Sequence, residues 1–182
     1  MSKNSSDIID HTKKWLSTFV IAHNICPFAK KPYIDNSIQY HVFESSSLEK
    51  QLESLIHCCE ELDTNPEVET SLVIYPSGLD DFDDYLDFLA LANSLLSKQG
   101  YEGIYQLASF HPNYCFAELS SKDASHYTNR SPYPVLHLIR EENLALVLSK
   151  YPNPEKIPQR NIEYTRELGV ETLKKILTLS ET

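Results

Sequence analysis

Glycine is scarce in this chain of 182 residues, which contains only four glycines. Neither a GxGxxG pattern nor a P-loop pattern occurs. Loops that hold phosphate groups through their backbone N–H groups depend on glycines at such spacings. The sequence therefore argues against a nucleotide-binding protein of the glycine-rich kind.

Basic residues are also in the minority, because 16 Lys and Arg face 26 Asp and Glu, and the formal net charge is −10. Nucleic acids and anionic membranes attract basic surfaces, so we expect neither as the main partner. No apolar run approaches the roughly 18 residues that span a bilayer. Residues 1–10 lack the apolar core of a signal peptide. We expect a cytoplasmic protein that binds neither nucleic acid nor membrane.

Cysteine is sparse and shows no pattern. The four cysteines, Cys26, Cys58, Cys59 and Cys115, form no CxxC pair and no evident disulfide framework. Free thiols in a reducing cytoplasm account for them most simply. No histidine or cysteine has the spacing of a known metal-binding motif, so we expect no metal. A metal or haem site is kept as an alternative.

Hydrophobic residues make up 41% of the chain, which is enough for one ordinary core. At this length we expect one domain over residues 1–182. Apolar residues at helical spacing predict amphipathic helices, and short apolar runs predict strands. The main predicted helices cover residues of about 6–23, 48–62, 82–99 and 158–179, and the predicted strands cover residues 38–43, 72–75, 103–110 and 135–140.

The first three strands are joined through helices, which favours parallel pairing with right-handed crossovers. The fourth strand can run in either direction. We therefore predict an α/β fold, in which amphipathic helices cover a small mixed four-stranded sheet with at least three strands parallel. Two local predictions accompany it. Residues 46–49 match a capping box, and Gly169 lies inside the last helix at a point of close packing.

The segment between the third and fourth strands, about 24 residues long, is the most informative part of the sequence. Long ordered loops in compact domains are uncommon and usually functional. This loop begins at the carboxyl end of a strand, where open α/β sheets bind ligands. His111 stands there, and its ordinary pKa suits acid–base catalysis near neutral pH. The alternative is a loop histidine that bonds the backbone and positions Pro112.

Arg130 lies where the loop returns toward the fourth strand. Its planar guanidinium can bind a carboxylate or phosphate at two points. Asn129 and Ser131 can add neutral donors, and Tyr114 can line the pocket. We expect Arg130 and His111 to share one concave site. The alternative is an arginine neutralised by a carboxylate such as Glu141 or Glu163.

Cys26 follows the first predicted helix. A helix C-terminus does not stabilise a thiolate, so we expect a buried structural cysteine that is a poor nucleophile. The alternative is thiol chemistry, with Lys30 and Lys31 close in sequence.

Four segments, NICPFAKK, SFHPNYCFA, YTNRSPYPVLHLIRE and IPQRNIE, resemble those of a family of bacterial proteins of about this length, domain of unknown function family 1415. The resemblance implies one intact bacterial domain and carries no activity with it. It adds Arg160 and Asn161 to the candidate site, because its characteristic residues match Cys26, Pro27, His111, Pro112, Asn129, Arg130, Arg160 and Asn161.

Together these features predict an enzyme or binding protein for a small anionic metabolite, with its site in the loop after the third strand. A non-catalytic interaction or scaffold protein is the main alternative. A thiol-redox protein and a metal-binding protein are further alternatives. We assign no cofactor and no oligomeric state.

Overall fold

The computed structural model describes residues 4–180, and its four strands and the helices between them follow the predicted order, while a short helix at Lys30–Ile34 was not predicted and the predicted last helix is two helices. The first helix, α1 Ser5–Trp15, continues directly into a π-helical turn at Leu16–Ile21. Within the described residues there are four strands, β1 Ile38–Val42, β2 Thr70–Ile74, β3 Tyr105–Phe110 and β4 Val135–Arg140, and seven α-helices, α1 Ser5–Trp15, α2 Lys30–Ile34, α3 Leu48–Thr64, α4 Phe82–Lys98, α5 Glu141–Lys150, α6 Ile157–Leu168 and α7 Val170–Leu179.

The four strands form one mixed sheet in the order β1-β2-β4-β3. Only β1 and β2 make a parallel pair, and β4 is antiparallel to both β2 and β3. The prediction of at least three parallel strands is therefore wrong. It assumed that strands joined by helices are neighbours, whereas β4 lies between β2 and β3. Because β4 opposes both of them, the carboxyl ends of β1, β2 and β3 still lie along one edge of the sheet.

Helices cover both faces of the sheet, and each face has its own apolar core. On one face, α3 and α4 pack against a set that includes Val73, Leu136 and Leu138. On the other face, residues of α1, the π-helical turn and α7 pack against a set that includes Leu72 and Val135. No helix within residues 4–180 is long and apolar enough to cross a membrane.

Two of the local predictions made from the sequence are wrong. The N-cap of α3 is Ser47, one residue after the Ser46 that a capping box with Glu49 requires, and the Ser47 side chain makes no capping hydrogen bond, so the capping box does not form. Gly169 does not lie inside a helix, because with φ +76° it separates α6 from α7. A Cβ built at Gly169 would meet no atom within 4 Å, so the residue serves the turn and not a close contact.

Gly78 is the glycine that close packing requires. It has φ +84°, and a Cβ there would lie 2.7 Å from the Cα of Ser46. The loops that follow β1 and β2 therefore touch at this point. Gly100 has nearly the same φ, +83°, but a Cβ there would meet no atom within 4 Å.

Candidate functional site

Hydrogen bonds close the two ends of the long loop onto each other. The His111 backbone N–H donates to the carbonyl of Asn129 at 3.1 Å. The Asn129 side-chain amide donates to the carbonyl of Ser109, also at 3.1 Å. The Ser131 side chain is fully buried, and its hydroxyl donates to the Tyr133 carbonyl. Asn129 and Ser131 therefore hold the base of the loop through bonds to backbone carbonyls.

His111 is fully buried between the rings of Phe82 and Tyr85, whose centroids lie 5.2 and 5.0 Å from its own. Its Nδ1 accepts from the Asn113 backbone N–H at 3.0 Å, so the proton lies on Nε2, which donates to the Leu79 carbonyl at 2.9 Å. Burial lowers the pKa of His111, against the opposing effect of that carbonyl. Both ring nitrogens are engaged with backbone, so this geometry corresponds to the structural alternative for His111.

Arg130 is held in place from two sides. Its guanidinium carbon lies 4.5 Å from the centroid of the Tyr127 ring, and its Nε donates to the Tyr114 carbonyl at 3.1 Å. Among residues 4–180, no carboxylate lies within ion-pair distance of Arg130, so neither Glu141 nor Glu163 neutralises it. The terminal nitrogens of the guanidinium also lack a hydrogen-bond partner within that range.

A small cavity lies beside Arg130, with a volume of about 10 Å³. This is about the space that one water molecule needs. Trp15 also lines it, and the indole N–H of Trp15 is buried without a hydrogen-bond partner among the described residues. Trp15 and Arg130 therefore both line this cavity, whose remaining walls are Phe19, Tyr127, Leu173, Ile176 and Leu177.

Arg130 and His111 do not share a pocket. His111 packs on α4, in the core that α3 and α4 cover, while the cavity at Arg130 belongs to the core on the opposite face of the sheet. Tyr114 contacts both surroundings, since its ring contacts Phe82 and its carbonyl accepts from Arg130. The predicted common site is therefore wrong, because the loop passes around the sheet edge and delivers the two side chains to different faces.

Arg160 and Asn161 close the end of the first helical segment. Arg160 donates to the carbonyls of His23 and Asn24, and the Asn161 amide donates to the carbonyl of Ile25 at 2.7 Å. A helix leaves its last carbonyls without partners, and cationic side chains are favoured there. Arg160 is thus bound to backbone oxygens, and neither residue lies at the cavity beside Arg130.

Cys26 begins a tight turn in which the Ala29 N–H donates to the Cys26 carbonyl. Burial raises the pKa of its thiol, although the backbone N–H groups of Phe28 and Ala29 oppose the shift. A raised pKa agrees with the expectation that Cys26 is a poor nucleophile. Burial raises it, whereas the expectation from the sequence was based on the preceding helix C-terminus.

His126 is a buried member of the loop that spacing in the sequence did not single out. Its Nδ1 accepts from the Phe116 N–H at 3.1 Å, and its Nε2 lies 2.8 Å from the Ser120 carbonyl and 3.5 Å from the Cys115 sulfur. Like His111, it binds backbone at both nitrogens. No group of three or more His, Cys, Asp or Glu residues within residues 4–180 could hold a metal ion.

The fold and this loop define a single-sheet α/β protein in which a long, internally bonded loop presents an arginine beside a buried tryptophan. The chain belongs to the family described as "Protein of unknown function (DUF1415)", whose model matches residues 7–175. The match covers nearly the whole chain and confirms the resemblance noted in the sequence. No curated protein and no solved structure matches the chain.

Proposed function

We propose that the protein binds a small anionic metabolite through Arg130, with the acidic group of the ligand at the cavity beside Trp15. The observation that carries the proposal is the guanidinium of Arg130. It is positioned by Tyr127 and Tyr114, yet it lacks an acidic partner among residues 4–180. Guanidinium groups bind carboxylate and phosphate at two points. The proposal places the protein in the cytoplasm, as its free cysteines suggest.

The unpaired indole N–H of Trp15 supports the same chemistry. A buried donor without an acceptor costs about 1–3 kcal/mol, and a ligand oxygen would remove that cost. Indole and guanidinium groups are donors only, so an acceptor such as a carboxylate oxygen complements them. The cavity itself has room for about one oxygen atom of the acidic group. The rest of that group and of the metabolite would therefore extend outward past Ile176 and Leu177, which are partly exposed.

The proposal concerns binding and leaves His111 out of the chemistry, because both of its ring nitrogens bond to backbone. Asn129, Ser131 and Asn161 likewise donate to backbone carbonyls. Arg130 is thus the anchor of the proposed site, and Tyr127 and Tyr114 hold it in place.

The single tryptophan of the chain, Trp15, gives a direct assay. Titration with acetate, succinate or inorganic phosphate, at ionic strength matched with chloride, should change Trp15 fluorescence in a saturable way. Arg130→Lys keeps the charge but loses the two-point fork, so it should weaken binding about tenfold. The melting temperature should hardly change.

Arg166→Lys is the matched control, because Arg166 pairs with Asp123 on the surface and does not line the cavity. It should leave binding unchanged. A fluorescence response that never saturates would contradict the proposal. So would an Arg130→Lys variant that melts far earlier yet binds as well as the wild type, since Arg130 would then be purely structural.

A non-catalytic interaction protein is the second candidate, and α5 is the observation that favours it. No residue of α5 is buried, and Leu146 and Val147 are 56% and 37% exposed. Exposed apolar side chains grouped on one helix are typical of surfaces that contact another protein.

A further inference from the structure

A second concavity, with a volume of about 520 Å³, lies at the carboxyl end of β1. We call it the β1 groove. Its volume falls in the range of small-molecule sites, and no residue lines both it and the cavity at Arg130. β1 is one of the two edge strands of the sheet, and no strand within residues 4–180 pairs with its outer edge. Val42 and Phe43 contribute apolar surface to the groove.

One wall of the β1 groove is a face of α3. Lys50, Glu53, Ser54 and His57 follow one another at i, i+3, i+4 and i+7, so the helix presents them on one side. Lys50 and Glu53 are exposed, and neither makes an ion pair within residues 4–180. A free ammonium and a free carboxylate therefore stand beside each other in the groove.

The segment that follows β1 brings a second carboxylate to the β1 groove. Glu44 follows β1, and its side chain accepts a hydrogen bond from the Ser5 hydroxyl at 3.2 Å. That bond ties Glu44 to the start of α1 and limits the positions that its carboxylate can take. Two carboxylates and one ammonium thus surround the apolar surface of Val42 and Phe43.

We propose that the β1 groove binds a small zwitterion with an apolar body, the chemistry that free apolar amino acids share with short peptides. The ligand amine would lie against Glu44 and Glu53, its carboxylate against Lys50, and its apolar part on Val42 and Phe43. The net charge of −10 favours ligands that carry a cationic group. Because exposed ion pairs are individually weak, we expect affinity in the millimolar range.

Saturation-transfer NMR suits such weak binding. Leucine and the dipeptide leucyl-leucine are the two probes, and they differ in the distance between amine and carboxylate. The probe whose signal saturates at the lower concentration shows which of these distances the groove accommodates. N-acetyl-leucine lacks the amine and leucine amide lacks the carboxylate, so both should bind more weakly than leucine. Glu53→Gln should weaken leucine binding about threefold. Lys50→Gln should weaken leucine but leave leucine amide unaffected.

Glu60→Gln is the matched control, because Glu60 is exposed on the same helix and does not line the groove. It should bind leucine as the wild type does, and Arg130→Lys should as well, since the two sites are separate. Circular dichroism would confirm that each variant is folded. The proposal is overturned if neither probe binds, if N-acetyl-leucine binds as well as leucine, or if Arg130→Lys abolishes binding while Glu53→Gln does not.

Discussion

Acid should destabilise the protein through His137, which lies in the centre of the sheet on β4. Its Nε2 lies 2.6 Å from the Thr70 hydroxyl, and that hydroxyl donates to the Leu138 carbonyl. The Thr70 oxygen therefore accepts from a neutral His137 that carries its proton on Nε2. Burial lowers the pKa of His137 from 6.5 to about 4 in the folded protein. The unfolded chain consequently takes up a proton at a higher pH than the folded one.

The size of the effect follows from proton linkage. Stability from the neutral His137 is fully present above the unfolded pKa of 6.5 and is lost as the pH falls through the folded value of about 4. Each unit of pKa difference corresponds to about 1.4 kcal/mol, so the full loss is about 3 kcal/mol. Between about pH 7 and pH 5 the free energy of unfolding should fall by about 2 kcal/mol from this residue alone.

Urea unfolding followed by Trp15 fluorescence can measure this loss. Burial also lowers the pKa values of His41 and His111, so the wild type has other acid-sensitive groups. The His137→Gln variant isolates the contribution of His137 while keeping a donor for Thr70. The stability difference between wild type and variant should shrink by about 2 kcal/mol from about pH 7 to pH 5. A difference that stays constant over this range would refute the assignment of a buried neutral His137.

Two further predictions concern the backbone and the thiols. Gly78→Ala should cost about 1 to 3 kcal/mol more than Gly100→Ala in urea unfolding, because both share a positive φ but only Gly78 lies against the Ser46 backbone. Equal costs would mean that the Ser46 contact relaxes freely. Cys26 in the native protein should react with iodoacetamide more slowly than free cysteine, because burial raises the pKa of its thiol. Alkylation faster than that of free cysteine at mildly acidic pH, read by peptide mass spectrometry, would argue for a stabilised thiolate.

The strands and their faces were accessible to sequence reasoning because period and apolar content are local properties. His137 illustrates this, because it alternates with Leu136 and Leu138 in the sequence. In the structure it lies beside Leu72, and Leu72 belongs to the core on the face opposite that of the two leucines. The position of β4 was not accessible in the same way. It depends on where the chain re-enters the sheet after the long loop, and neither the spacing of apolar residues nor secondary-structure propensity predicts that.

The candidate site, like the fold, could be predicted from the sequence only in part. The loop and Arg130 could be singled out, because a long loop with an arginine is visible in the sequence. The use of His111, Asn129 and Arg160 as backbone partners could not, since each residue type binds a ligand or a carbonyl equally well. In the sequence Trp15 is one apolar residue among several at helical spacing, whereas its unpaired indole N–H depends on packing between distant parts of the chain.

The insertion of β4 between β2 and β3 has a consequence for how the chain is made. β2 gains its second neighbour only when residues 135–140 have been synthesised, long after β1 and α3 are complete. Contacts between distant parts of a chain form late, and until then the inner edge of β2 has unpaired backbone groups. Newly emerging chains that stop before residue 135 therefore expose β2, all of whose residues are buried in the folded protein, and these are the species that a chaperone would bind during translation.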